Sequence, residues 1–133
     1  MKPTHIEHIG IAVKSLELSI PIFENLLGVK CKVIETVADQ HVKTAIFEVG
    51  INKIELLETT DPEGPIGSFI SKNGEGIHHI AFAVQDTNDA LQKAKENGFK
   101  LIDREARKGA EKLNIGFLNP KTTNRVLVEF CSK

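Results

Sequence analysis

Two histidines and two glutamates stand at matched places along this 133-residue chain, and they are the side chains with which chemistry could be done. His8 opens the stretch HIGIAV and His79 opens HIAFAV. Aligning the two pairs Ile9 with Ile80, Gly10 with Ala81, Ile11 with Phe82, Ala12 with Ala83 and Val13 with Val84. Each copy alternates a bulky apolar residue with a small one, the period of a strand with two unlike faces. The bulky face belongs in a core. The histidine shares the other face with Gly or Ala, which leaves room beside the imidazole. The glutamates recur in the same way: Lys53-Ile-Glu55-Leu-Leu57 and Leu127-Val-Glu129-Phe-Cys131 each hold a carboxylate between apolar neighbours. A single glutamate of that kind faces solvent as a rule. Its recurrence in both halves, beside two recurring histidines, points to a shared site. Two neutral imidazoles and two carboxylates related by a pseudo-twofold suit an octahedral divalent metal with positions left for water. Cobalt, nickel, manganese and zinc all accept such donors, so the ligand types alone do not choose among them.

The elements that must hold these residues follow from the pattern around them. After the first strand, Ser15 can cap a helix in which Leu16, Ile20, Phe23 and Leu27 recur at helical spacing and which Gly28 ends. Pro21 is best tolerated in a first turn, which predicts a helix beginning one turn after Ser15. Strands are expected over Lys30–Val37, Val42–Val49 and Lys53–Glu58, with Gly50-Ile-Asn52 as a tight turn. A connector of Thr, Pro, Gly and Asp, residues 59–76, holds a short helix over Pro65–Lys72. The second half replays the first: Asp86 caps a helix with Ala90, Leu91 and Ala94 facing inward, Gly98 closes it, and strands follow over Phe99–Asp103, Leu113–Leu118 and Arg125–Cys131. The expected architecture is α+β. It comprises two tandem βαβββ modules, residues 5–58 and 77–132, in one domain spanning residues 1–133, their mixed sheet curling around a metal-containing cavity.

Composition bounds the rest. With 41% apolar residues the chain can bury a substantial core, and a formal net charge of −1 offers no field for nucleic acid or an anionic membrane. No apolar run approaches the roughly 18 residues of a spanning helix, and MKPTHIEHIG lacks the apolar centre of a signal peptide. Cys31 and Cys131 match no zinc spacing and are too few for a disulfide framework, so they read as ordinary buried thiols of a cytosolic protein.

HIGIAV, KIELLE, GIHHIAFAV, GFLNPK and VLVEF together resemble the vicinal oxygen chelate superfamily over essentially the whole chain. Its methylmalonyl-CoA epimerase family is the nearest in pattern, through EGPIGSFISKNGEGIHHIAF and RKGAEKLNIGFLNPK. The resemblance implies a metal held by His8, Glu55, His79 and Glu129, with the second histidine of the His78-His79 pair as the ligand. Cobalt is taken first, with nickel, manganese or zinc as alternatives. It also implies an isomerase that interconverts (2R)- and (2S)-methylmalonyl-CoA, a homodimer, and Glu129 and Glu55 as the catalytic carboxylates, Glu129 foremost. Some epimerases carry a further glutamate where this chain has Thr44, and Glu48 on the same strand is a substitute for it. Lys112 stands where a glycine is common, Asn119 where a histidine is usual, and Asn124-Arg125 where the family has a small pair.

Gln40 and Lys121 match substrate-facing positions of the family, and each is equally well a solvated polar side chain. The basic run of Arg104, Arg107, Lys108 and Lys112 is either solvated or a seat for the phosphates of coenzyme A. His5, His41 and His78 lack repeat partners at ligand positions and read as surface or supporting residues. The runner-up reaction is that of glyoxalase I, a lactoylglutathione lyase. A non-catalytic binding module of the superfamily typically lacks the ligands present here, and a dioxygenase would want two histidines and one carboxylate.

Overall fold

The computed structural model describes residues 2–133. Along the chain, β1 (His5–Ala12), α1 (Leu16–Leu27), β2 (Val33–Val37), β3 (Val42–Val49) and β4 (Asn52–Thr59) are followed by α2 (Pro65–Asn73). Then come β5 (Gly76–Ala83), α3 (Thr87–Glu96), β6 (Arg107–Lys108), β7 (Asn114–Leu118) and β8 (Val128–Ser132). The second run repeats the element order of the first, as the duplicated strand sequences imply. The chain divides into two compact units, one of residues 9–78 and one formed by residues up to 8 together with 79–133.

In the unit of residues 9–78, β3 pairs antiparallel with both β2 and β4. Strand periodicity sorts its side chains. Ala45 and Phe47 of β3 and Leu56 of β4 lie in a core with Val13 and Leu16, against which Ile20, Phe23 and Leu27 of α1 pack. The intervening residues Thr44, Ile46, Glu55 and Leu57 share the opposite face, and all four are buried. Helix α1 starts where its signals place it. Ser15 Oγ accepts from the Leu18 N–H at 3.2 Å, and Glu58 Oε1 accepts from the Leu16 N–H at 2.7 Å. Between them they satisfy two of the donors that a helix start leaves open. Gly28 closes the helix at φ 69°, its N–H donating to Glu24 O. The predicted late start is corrected: Pro21 lies inside α1. Its ring removes only the hydrogen bond to the Glu17 carbonyl, and both residues are exposed, so water can take the place of the missing donor.

The other unit contains a parallel pair, β5 with β8, followed by antiparallel β7 and β6. Ala81 stands beside Glu129 and Ala83 beside Cys131 across the parallel pair, while Phe117 and Ile115 flank the same two residues from β7. One face therefore gathers Ala81, Ile115, Phe117 and Cys131. On the other, Leu91 and Ala94 of α3 pack with Leu118, Leu101, Val128 and Phe130. Gly116 permits that approach, since a Cβ there would come within 2.7 Å of the Leu91 side chain. Asp86 caps α3 through the Asp89 N–H at 3.0 Å. The strand predicted over Phe99–Asp103 is corrected to a loop whose one β-bridge to the sheet is Leu101 to Leu118. The short strand falls later, at Arg107–Lys108, while Asp103 fastens the loop to β7: its Oδ2 accepts from the Phe117 N–H at 2.9 Å and its own N–H donates to the Phe117 carbonyl at 3.2 Å.

Three of the residues at which the chain departs from the resemblance share a backbone conformation. Lys112 (φ 60°), Asn124 (φ 55°) and Arg125 (φ 67°) all adopt the left-handed conformation that glycine takes without cost.

Candidate metal centre

His8 on β1, His79 on β5 and Glu129 on β8 converge in the second unit. His8 Nε2 lies 3.0 Å from His79 Nε2, Glu129 Oε1 lies 3.0 Å from His79 Nε2, and the remaining side, Glu129 Oε1 to His8 Nε2, is 3.3 Å. All three residues are at most 6% exposed. Small neighbours make the convergence possible: Ala81, fully buried, stands directly beside Glu129 across the parallel pair and two residues along β5 from His79. His79 is held edge-on against Phe117 at 5.5 Å and against the His8 ring at 5.1 Å.

Two further buried residues brace this trio, and neither is marked in the sequence as part of a site. Glu7 Oε1 lies 2.6 Å from His8 Nδ1, so the imidazole N–H donates to the carboxylate and Nε2 is turned toward His79 and Glu129. Cys131, 1% exposed, donates its S–H to Glu129 Oε2 at 3.4 Å, leaving Oε1 for the histidines. Period-2 alternation does put Cys131 on the face of Glu129, a signal that could have found it. The same alternation puts Glu7 on the face opposite His8, so nothing in the pattern flags it.

The donor set fits a divalent cation. With Nδ1–H of His8 committed to Glu7, a neutral His8 turns a lone pair toward the lone pairs of Glu129, an arrangement that needs a proton or a cation between them. Donors about 2.1 Å from one ion and at right angles to each other stand about 3.0 Å apart, close to the spacing found. With a proton in place of the ion, the imidazoles are charged: burial alone would raise the Glu129 carboxyl, but hydrogen bonds and charge from His79 and His8 outweigh it and hold the group well below the usual carboxylate range.

The other residues selected from the sequence are placed as follows. Glu55 is 5% exposed on β4, in the unit of residues 9–78, opposite Ile46 of β3. Thr44, on the same face of β3, is 1% exposed and pairs in register with Glu35 of β2. Glu48 is exposed and ion-paired with Lys32 at 3.7 Å. Gln40 ends a 3-10 turn at Ala38–Gln40, and its buried Nε2 has no hydrogen-bond partner among the described residues. Lys121 is exposed in a turn where Asn119 Oδ1 accepts from its backbone N–H. The basic run is partly engaged: Arg107 bonds Asp103 at 3.1 Å and lies over the Phe117 ring, while Lys108 Nζ donates to the Lys112 carbonyl. His78 packs edge-on against Phe69.

Comparison with known proteins places the chain. Residues 7–117 match the model of the Glyoxalase/Bleomycin resistance protein/Dioxygenase superfamily. The chain is 41% identical to the uncharacterized protein YqjC of Bacillus subtilis, over 95% of this chain and 90% of that one. It is 34% identical to the ethylmalonyl-CoA/methylmalonyl-CoA epimerase of Cereibacter sphaeroides, over 93% and 94%. A solved variant of the Streptomyces coelicolor methylmalonyl-CoA epimerase in complex with 2-nitronate-propionyl-CoA superimposes with a TM-score of 0.96 at 30% identity, covering 99% of this chain and 96% of that one. The chain belongs to the Glyoxalase/Bleomycin resistance protein/Dioxygenase superfamily, in the part of it that holds the methylmalonyl-CoA epimerases.

Proposed function

We propose that this protein interconverts (2R)- and (2S)-methylmalonyl-CoA by moving the proton on C2. The observation that carries the reading is the buried convergence of His8, His79 and Glu129 at spacings of 3.0 to 3.3 Å, in a chain whose relatives include named epimerases of acyl-CoA substrates. A proton alpha to a thioester is weakly acidic, and its removal needs the growing negative charge on the carbonyl oxygen to be met. A divalent ion held by His8, His79 and Glu129, with Glu55 as the fourth donor that the repeat selects, would act as the Lewis acid for that oxygen. Cobalt is our first choice, and nickel, manganese or zinc would suit the same donors.

Inversion at C2 needs a proton acceptor on one side of the carbon and a donor on the other. We assign these roles to Glu129 and Glu55, because Thr44 cannot ionise near neutral pH. The buried and unpartnered Nε2 of Gln40 is a ready donor to a substrate oxygen, since an amide left so costs about 1–3 kcal/mol until something accepts from it. Lys121 would meet the substrate carboxylate. Cobalt-loaded protein in heavy water should exchange the C2 proton of methylmalonyl-CoA, and the exchange should stop when the metal is chelated. Absence of exchange in metal-loaded protein would sink the reading and turn attention to glutathione hemithioacetals.

We further propose a homodimer, working in the cytosol, where cysteines outside any disulfide are at home. Leu18, Ile22 and Leu26 form a stripe at four-residue spacing on α1, exposed by 71%, 61% and 71%. A second copy of this chain is the occupant that the family resemblance supplies for it. Sedimentation should show a dimer that Ile22→Glu converts to monomer; a monomeric wild type, or an unaffected variant, would reject the assignment. Among the described residues no helix is long and apolar enough to cross a membrane.

A further inference from the structure

We infer that Glu7 is a positioning residue of the metal centre: its carboxylate fixes His8 in the tautomer that offers Nε2 to the ion. The inference rests on the metal-site reading above, but not on the identity of the substrate. Three observations carry it. Glu7 Oε1 and His8 Nδ1 are 2.6 Å apart, a charge-assisted hydrogen bond between buried partners. Glu7 is 9% exposed, and an ionised group taken out of water to that extent is costly unless it is paired. Finally, Nδ1 and Nε2 lie on opposite sides of one ring, so holding the first on Glu7 aims the second at His79 Nε2 and Glu129 Oε1.

The alternative use of this corner is a ligand cluster of its own. Glu7, His8 and Cys131 offer donor atoms all within 4.8 Å of one another. His8 cannot serve both clusters with one nitrogen. The Nε2 side has two partners at 3.0 and 3.3 Å, and Cys131 already donates to Glu129 Oε2. The geometry therefore favours Glu7 as the group behind the ligand and not as a ligand. Carboxylates in that place raise the basicity of the imidazole and hold its plane, and losing one typically costs about 10–100-fold in metal affinity.

The test is Glu7→Gln, with cobalt affinity measured by chelator competition and the melting temperature of the metal-free protein recorded alongside. Gln keeps the size and removes the charge. A weakening of affinity by about 10–100-fold, with an unchanged metal-free melting temperature, is the expected result. Unchanged affinity would overturn the role of Glu7 while leaving the metal centre standing. A wild type that binds no cobalt would overturn both. Should the variant fail to fold, nitrogen NMR of zinc-loaded wild type decides the matter: the ring of His8 must carry its proton on Nδ1, and a proton on Nε2 would reject the proposal.

Discussion

Glu129→Gln should lower the rate of C2 exchange by about 10²–10⁴-fold, the range spanned by loss of a positioned acid or base. Glutamine fills the same space at a position that is 3% exposed and keeps an oxygen for Cys131, so the fold has little reason to change. What it loses is the anion. When protonated, His79 at 3.0 Å and His8 at 3.3 Å stabilise that anion, which works against Glu129 as a proton acceptor. Cobalt affinity measured on the same variant separates the two roles. A slow variant that retains its metal identifies Glu129 as the proton carrier; affinity and rate falling together identify it as a ligand. A loss of rate below about tenfold would remove it from both.

Gly67→Ala should cost about 3 kcal/mol, at the upper end of what a single overpacked methyl does, and lower the melting temperature by roughly 10 °C. Gly67 sits in the first turn of α2, where a Cβ would come within 2.3 Å of the Pro62 carbonyl oxygen and 2.8 Å of that of Asp61. Both are backbone atoms, so no side chain can swing aside. Gly76 is the control. Nothing lies within 4 Å of a Cβ there, and its backbone is not left-handed, so Gly76→Ala should be close to neutral by the same thermal melt. Equal behaviour of the two variants would contradict the packing at α2.

Much of this is legible in the residues alone. The alternation in HIGIAV and HIAFAV and the repeat offset select His8, Glu55, His79 and Glu129, because side-chain period and duplication are properties of sequence; of these, His8, His79 and Glu129 are seen to cluster. Val42–Val49 is legible for the same reason, as is the capping of α1 by Ser15 and Gly28. Glu7 is not, since a residue next to a ligand points to the other face of an ideal strand, and only the path of its side chain returns the carboxylate to His8. Gly67 is hidden because the atoms that crowd it are carbonyls of the preceding loop, whose course no motif announces. Phe99–Asp103 misleads because Leu101 there packs with Leu91 and Ala94 of α3 and makes one bridge in place of a ladder. The left-handed backbone at Lys112 and Arg125 is invisible where the residue itself is not glycine.

The burial of Cys131 behind Glu129 has a practical side. The chain carries two thiols of unlike standing, Cys31 half-buried in the unit of residues 9–78 and Cys131 sealed in the other. A thiol reagent can meet the first in the folded protein and the second only when β8 parts from its neighbours. The slow component of labelling thus counts openings of the unit that holds His8, His79 and Glu129 alone, and an ion bound there, which would favour the closed form by mass action, would slow that component and leave the fast one as it was.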